Sequence, residues 1–134
     1  MLILSKKISH PVYPEIPEIP VILSKVPMHK PTTSPLEIAV SRLAETYHPE
    51  AIWLFGSAAR NQAGPDSDYD LLMIVPDDTD RQHRQSELAY RALRSLGRAF
   101  DISIWRRSVF DEQSRSATSL PSTVLTEGRL LYAA

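Results

Sequence analysis

The 134-residue sequence contains no cysteine, which excludes disulfides, thiolate metal sites and cysteine nucleophiles. It also lacks any run of ~18 apolar residues, the length a helix needs to cross a bilayer. Lys6-Lys7 follows the apolar Met1 to Leu4, the reverse of the charge-then-apolar order of a secretory leader. A soluble, cytoplasmic chain without a membrane partner is expected. Neither sign of charge is in excess: 15 basic against 16 acidic residues leave a formal charge of −1, so the molecule as a whole is not drawn to nucleic acid, and no direct nucleic-acid partner is expected. What is present, 43% hydrophobic residues over this length, suffices for the core of one modest domain.

Glycine is scarce and late, while proline is plentiful and early. All four glycines lie at Gly56 or beyond, and seven of the eleven prolines lie at or before Pro35. Pro11, Pro14, Pro17 and Pro20 recur every third residue, as do Tyr13, Ile16, Ile19 and Ile22, the period of polyproline II. Residues 1–33 are therefore read as a proline-rich extension, disordered or docking a partner, and residues 34–134 as the folded domain.

Ser34-Pro35-Leu36-Glu37 has the form of a capping box with proline at the first helical position. Leu36, Ala39, Val40, Leu43 and Tyr47 then repeat at helical spacing, so a helix with one buried face is expected up to Pro49. Ala51 to Phe55 reads as a short strand, Asn61 to Ser67 as loop and Asp68 to Val75 as a second strand. A helix is expected from about Asp80 to Arg98, with Leu88, Ala89, Ala92, Leu93 and Leu96 inward and Arg84, Arg91, Arg94 and Arg98 on the opposite face, read as solvated, with binding of an acidic partner or RNA as the alternative. Phe100 to Trp105 reads as a third strand. A short helix from Ser108, another from Pro121 to Glu127 stopped by Gly128, and an apolar piece from Leu130 to Tyr132 complete the chain. His48 and His83 have no spaced partner, so all four histidines are read as non-ligands. Trp53 and Trp105 are read as core residues.

The stretch from Ile52 to Val75 carries the chemistry. Asp68 and Asp70, two apart at the mouth of an apolar strand, are costly to desolvate and contribute nothing to a core. Side chains alternate along a strand, so both project from one face and can hold hard divalent cations. Gly56-Ser57 closes the preceding strand. Glycine there permits close backbone approach, and serine offers a hydroxyl and an N–H at the start of a helical turn, the form of a phosphate seat. For Ser57 and Asp68 to serve one site, the two strands must run antiparallel. If the long helix then crosses over to a parallel third strand, Asp101 arrives at the same sheet edge.

Gly56-Ser57, ten residues, then Asp68-Tyr69-Asp70 and a later strand-borne aspartate resemble the signature of the DNA polymerase β superfamily of nucleotidyltransferases. The small size and the ending Glu127-Gly128-Arg129-Leu130-Leu131-Tyr132 resemble, more narrowly, the minimal nucleotidyltransferases that act as antitoxins beside HEPN toxins. The resemblance covers roughly residues 36 to 132 and leaves the proline-rich start outside. It implies an α/β (α+β) fold with a small mixed sheet flanked by helices. It further implies transfer of AMP from ATP, with two magnesium ions, to a hydroxyl of a cognate HEPN ribonuclease toxin, as a hetero-oligomer. Asp68, Asp70 and Asp101 would bind the metals, and Asp101 would also orient or deprotonate the acceptor. Gly56 and Ser57 would hold the β and γ phosphates, with Arg60 and Ser67 as further nucleotide contacts. A small-molecule nucleotidyltransferase and a non-catalytic toxin-binding module are the alternatives.

Overall fold

The structure is a computed structural model that describes residues 34–62, 64 and 67–134; the proline-rich extension lies outside them. Helix α1, Pro35–Tyr47, begins as its sequence dictates: the Ser34 hydroxyl accepts the Glu37 N–H and the Glu37 carboxylate accepts the Ser34 N–H. It ends before Pro49, at His48, which adopts a left-handed conformation with φ 48°. Strand β1, Ala51–Phe55, leads directly into the single turn α2, Gly56–Ala59. Strand β2 spans Tyr69–Val75, helix α3 Glu87–Leu93, strand β3 Phe100–Arg106, helix α4 Arg107–Gln113, helix α5 Leu120–Glu127 and strand β4 Arg129–Ala133.

The four strands form one mixed sheet in the order β3-β2-β1-β4. β1 is antiparallel to β2 and β4, and β2 is parallel to β3, as the two-sided site requires. Alternation divides the strand residues between two apolar layers. Ile52, Leu54, Leu71, Met73 and Ile102 pack against Ala39, Val40 and Leu43 of α1 and Ala89 and Leu93 of α3. Trp53, Leu72 and Ile74 face Phe110 of α4 and Val124 of α5. Each fully buried large side chain here contributes roughly 1.5–3 kcal/mol. The sheet is thus held from both faces, and its strand ends are fixed where the acids lie.

The long helix expected from Asp80 to Arg98 is broken. Only Glu87–Leu93 is α-helical, between two 3-10 turns at Gln82–Arg84 and Arg94–Leu96. The first turn forms because Arg81 to Glu87 offers no apolar face to bury, and because Asp80 instead accepts from the His83 N–H and ring at 2.8 Å. His83 thus caps the turn with Asp80, and its ring lies edge-on to Tyr47. Gln85 is extended, with its carbonyl turned to the Tyr47 hydroxyl at 2.7 Å. Gly97, at φ 70°, ends the second turn.

Tyr47 also accepts the Ala89 N–H at 2.9 Å, so one phenol pins both the break and the start of α3. Burial pushes its ionisation above the ordinary range, with the Ala89 bond acting the other way. Tyr47→Phe strands a buried N–H and is expected to lower stability by about 1–3 kcal/mol, as a fall in urea midpoint at unchanged slope. An unchanged midpoint would show that the break is set locally.

Candidate active site

Parallel pairing sets Asp70 of β2 directly beside Asp101 of β3. Antiparallel pairing sets Asp70 opposite Phe55, the residue before Gly56. Asp68 stands one residue ahead of β2 and is exposed, as is Asp101, while Asp70 is half-buried. The three aspartates and the Gly56-Ser57 turn therefore meet at one end of the sheet. Gly56 has φ 75°, and a Cβ placed on it would overlap the Asp70 carboxylate, meeting Oδ2 first and Cγ at 3.2 Å. Only glycine allows this close approach of backbone and acid. The N-cap of α2 is Phe55, which makes no side-chain cap.

The acids act on one another. Burial first, then repulsion from Asp101 and Asp68, holds the Asp70 carboxyl above its ordinary value. Such a set of hard oxygen donors under mutual repulsion suits a divalent cation, which would neutralise it. Among the described residues no three histidines or acids stand in ready ligating geometry; the aspartates share an edge without forming a closed cage. The sign of the linkage is clear. The folded chain holds the Asp70 proton more tightly than the unfolded chain, so the repulsion is relieved below the ordinary value of 3.8 and fully expressed once pH passes the raised one. Asp70→Asn is therefore expected to raise the Tm of metal-free protein at neutral pH, with the gain vanishing as pH falls through the carboxylate range. Thermal unfolding from about pH 3 to 8 checks this; an equal or lower Tm at neutral pH would contradict it.

The two further expected nucleotide contacts each have a partner within the chain. Arg60, at the end of α2, pairs with Glu127 of α5 at 3.5 Å and bonds Gln62. The Ser67 hydroxyl accepts the Gly64 N–H at 2.9 Å within its own loop.

A residue read as part of a solvated face proves to brace the site. Arg98 donates to the Ser67 carbonyl at 2.8 Å and to the Tyr69 hydroxyl at 3.3 Å. Its guanidinium lies 4.4 Å from the Tyr69 ring centroid. It thereby holds the two neighbours of Asp68, one by its carbonyl and the other by its side chain. The only signal in the sequence was its place two residues before β3, which gave no hint of a partner some thirty residues earlier. Arg91 does behave as a surface residue, paired with Glu87 on its own helix. Trp53 is buried in the core as expected, and the half-buried Trp105 packs edge-on against Phe110.

The mixed sheet thus holds a glycine-serine turn against a strand-borne acid, with Asp101 beside that acid on the neighbouring strand. The chain belongs to the nucleotidyltransferase domain family, whose model matches residues 36–130, and it is a transferase of that class. No curated protein matches it. Among solved structures, a chain from a toxin–antitoxin complex with AMP-PNP is similar at 24% identity and a TM-score of 0.51, over 72% of each chain, which shows a shared fold. A chain from a mutant of the toxin–antitoxin pair MntA-HpeT has 23% identity over 71% of this chain and 70% of its own, with a TM-score of 0.48. A nucleotidyltransferase from Sulfolobus solfataricus has 18% identity over 80% and 93%, with a TM-score of 0.40.

Proposed function

We propose that this protein is an antitoxin that transfers AMP from ATP to a hydroxyl, a tyrosine's, of a cognate HEPN ribonuclease toxin and so silences it. The observation that carries the transferase half is the meeting of Asp70, Asp101 and Gly56 at one sheet end. The choice of acceptor rests on the resemblance of the acid and glycine-serine spacing to minimal nucleotidyltransferases, and on a fold shared with a chain of a toxin–antitoxin complex.

Asp68, Asp70 and Asp101 would hold two magnesium ions, which supply neutralising charge to the triphosphate and to the oxygens at the reacting phosphorus. The Ser57 hydroxyl and the backbone at Gly56-Ser57 grip the β and γ phosphates. Asp101 accepts the proton of the acceptor hydroxyl as its oxygen bonds to the α phosphorus. The bond from that phosphorus to the bridging oxygen breaks, and pyrophosphate leaves with the electron pair. The transferred AMP places a bulky anion on the toxin, where it obstructs RNA. Among the described residues no helix is long and apolar enough to span a membrane, and the cytoplasm is the expected site of action.

The test is to incubate the protein with labelled ATP, magnesium and the HEPN toxin, and to follow intact mass. One added AMP on the toxin, with loss of its ribonuclease activity, is expected. Inhibition without added mass would overturn the transfer reading in favour of neutralisation by contact, and label on a small acceptor alone would overturn the choice of target.

A further inference from the structure

At the end of β3 away from Asp101 lies a cavity of about 350 Å³, lined by Arg81, Arg84 and Arg106 together with Ile104, Trp105 and Val109. Asp101 and Trp105 are four residues apart on one strand, about 13 Å, so this is not the acidic site. Three guanidiniums around one cavity repel one another. Among the described residues none of the three has an ion-paired carboxylate. Asp80, which feels the charge of Arg84, is committed to His83. Arg81 and Arg84 are exposed, whereas Ile104, Trp105 and Val109 are half-buried, so the cavity joins a cationic rim to an apolar lining.

The backbone beside it is also open. β3 is an outer strand of the sheet. The Ala99 carbonyl accepts from Tyr69, on the side of β2, but the Ile102 N–H is taken by the Tyr90 hydroxyl at 3.0 Å instead. Hydrogen-bonding groups alternate sides along a strand, so Ile104 and Arg106, in phase with Ile102, also turn theirs away from β2. Both line the cavity; the Arg106 carbonyl, at the N-cap of α4, serves the first turn of that helix, whereas among the described residues no turn or loop bond reaches Ile104. Tyr90 thus closes this edge at Ile102, α4 closes it at the Arg106 carbonyl, and Ile104 between them is left able to pair with an extended segment.

We propose that this cavity docks an acidic, extended segment of a protein partner, which pairs its backbone with β3 at Ile104 and its carboxylates with Arg81, Arg84 and Arg106. The free strand edge favours a polypeptide over RNA. So does charge: the whole chain carries −1, and Arg91, further along, is paired with Glu87, which disfavours a polyanion over a short acidic segment. A partner held there leaves the aspartates at the opposite end open. This inference does not depend on the nucleotide chemistry.

The test uses the full-length protein and a fluorescein-labelled eight-residue peptide of alternating glutamate and valine, read by anisotropy. Binding is expected that weakens with salt and falls at least about tenfold in Arg81→Glu combined with Arg84→Glu. Both positions are exposed, and circular dichroism checks their folding. Binding should be unchanged in Asp68→Ala combined with Asp70→Ala, which separates this site from the catalytic one. Equal binding of the glutamine counterpart, no binding of the acidic peptide, or full binding by the charge-reversed variant would overturn the proposal. Tighter, arginine-dependent binding of oligouridylate would reassign the cavity to RNA. Tighter binding of a peptide spanning residues 11–22 of this chain, which carries Glu15 and Glu18, would reassign it to the chain itself.

Discussion

Asp68→Ala combined with Asp70→Ala is expected to reduce magnesium-dependent transfer of AMP by on the order of a thousandfold or more, while the folded domain survives. The two halves of this result have one cause. Asp70 is held above its ordinary ionisation range by burial and by its two acidic neighbours, so removing the pair relieves repulsion in the fold while removing the charge that would receive cations. Single-turnover label transfer measures the loss, and thermal unfolding without divalent ion measures the gain or constancy in Tm. Undiminished transfer by the double variant would remove these residues from the site. A collapse in Tm would show that the acids support the fold and would contradict the repulsion at Asp70.

Gly56→Ala carries the second large effect, and it reaches the acids through the backbone. At φ 75° an L-residue is disfavoured by roughly 1–2 kcal/mol. The added methyl would also displace the Asp70 carboxylate it overlaps. A fall in activity of at least about a hundredfold is expected, well beyond what the modest loss of stability explains. Gly97→Ala serves as the control: it has a similar φ of 70° with nothing within 4 Å of its Cβ. It should lose comparable stability and keep its activity. Equal losses of activity in both variants would mean that backbone strain, rather than contact with Asp70, is responsible.

Much of the fold was legible because its signals are local. The Ser34–Glu37 box started α1 where it was expected, and β1 kept its bounds, Ala51–Phe55. The acids and the glycine-serine turn led to the requirement for antiparallel and then parallel pairing, which the sheet has. The break between Asp80 and Arg98 was not legible. Heptad-like apolar spacing from Leu88 to Leu96 masked a preceding stretch with no apolar face, and the group that holds Gln85 and Ala89 in place is a phenol on α1. Arg98 was misread for the same kind of reason, since its partners Ser67 and Tyr69 lie on another element. Arg60 is close in sequence to Gly56-Ser57, and its partner Glu127 lies on α5, nearly seventy residues on.

Sequence alone determined which residues could carry charge at the acidic end: a strand must end at Gly56-Ser57, and another must begin near Asp68-Tyr69-Asp70, because caps, apolar runs and glycine act within a few residues. Tertiary structure decided what those residues meet. The register that sets Asp70 beside Asp101, the fit of its carboxylate against a missing Cβ, the Arg98 grip and the gathering of arginines at the far end of β3 all depend on strand pairing and packing between segments tens of residues apart. Such pairings are chosen by the burial of both sheet faces at once, a property of the whole domain that no short stretch of sequence contains.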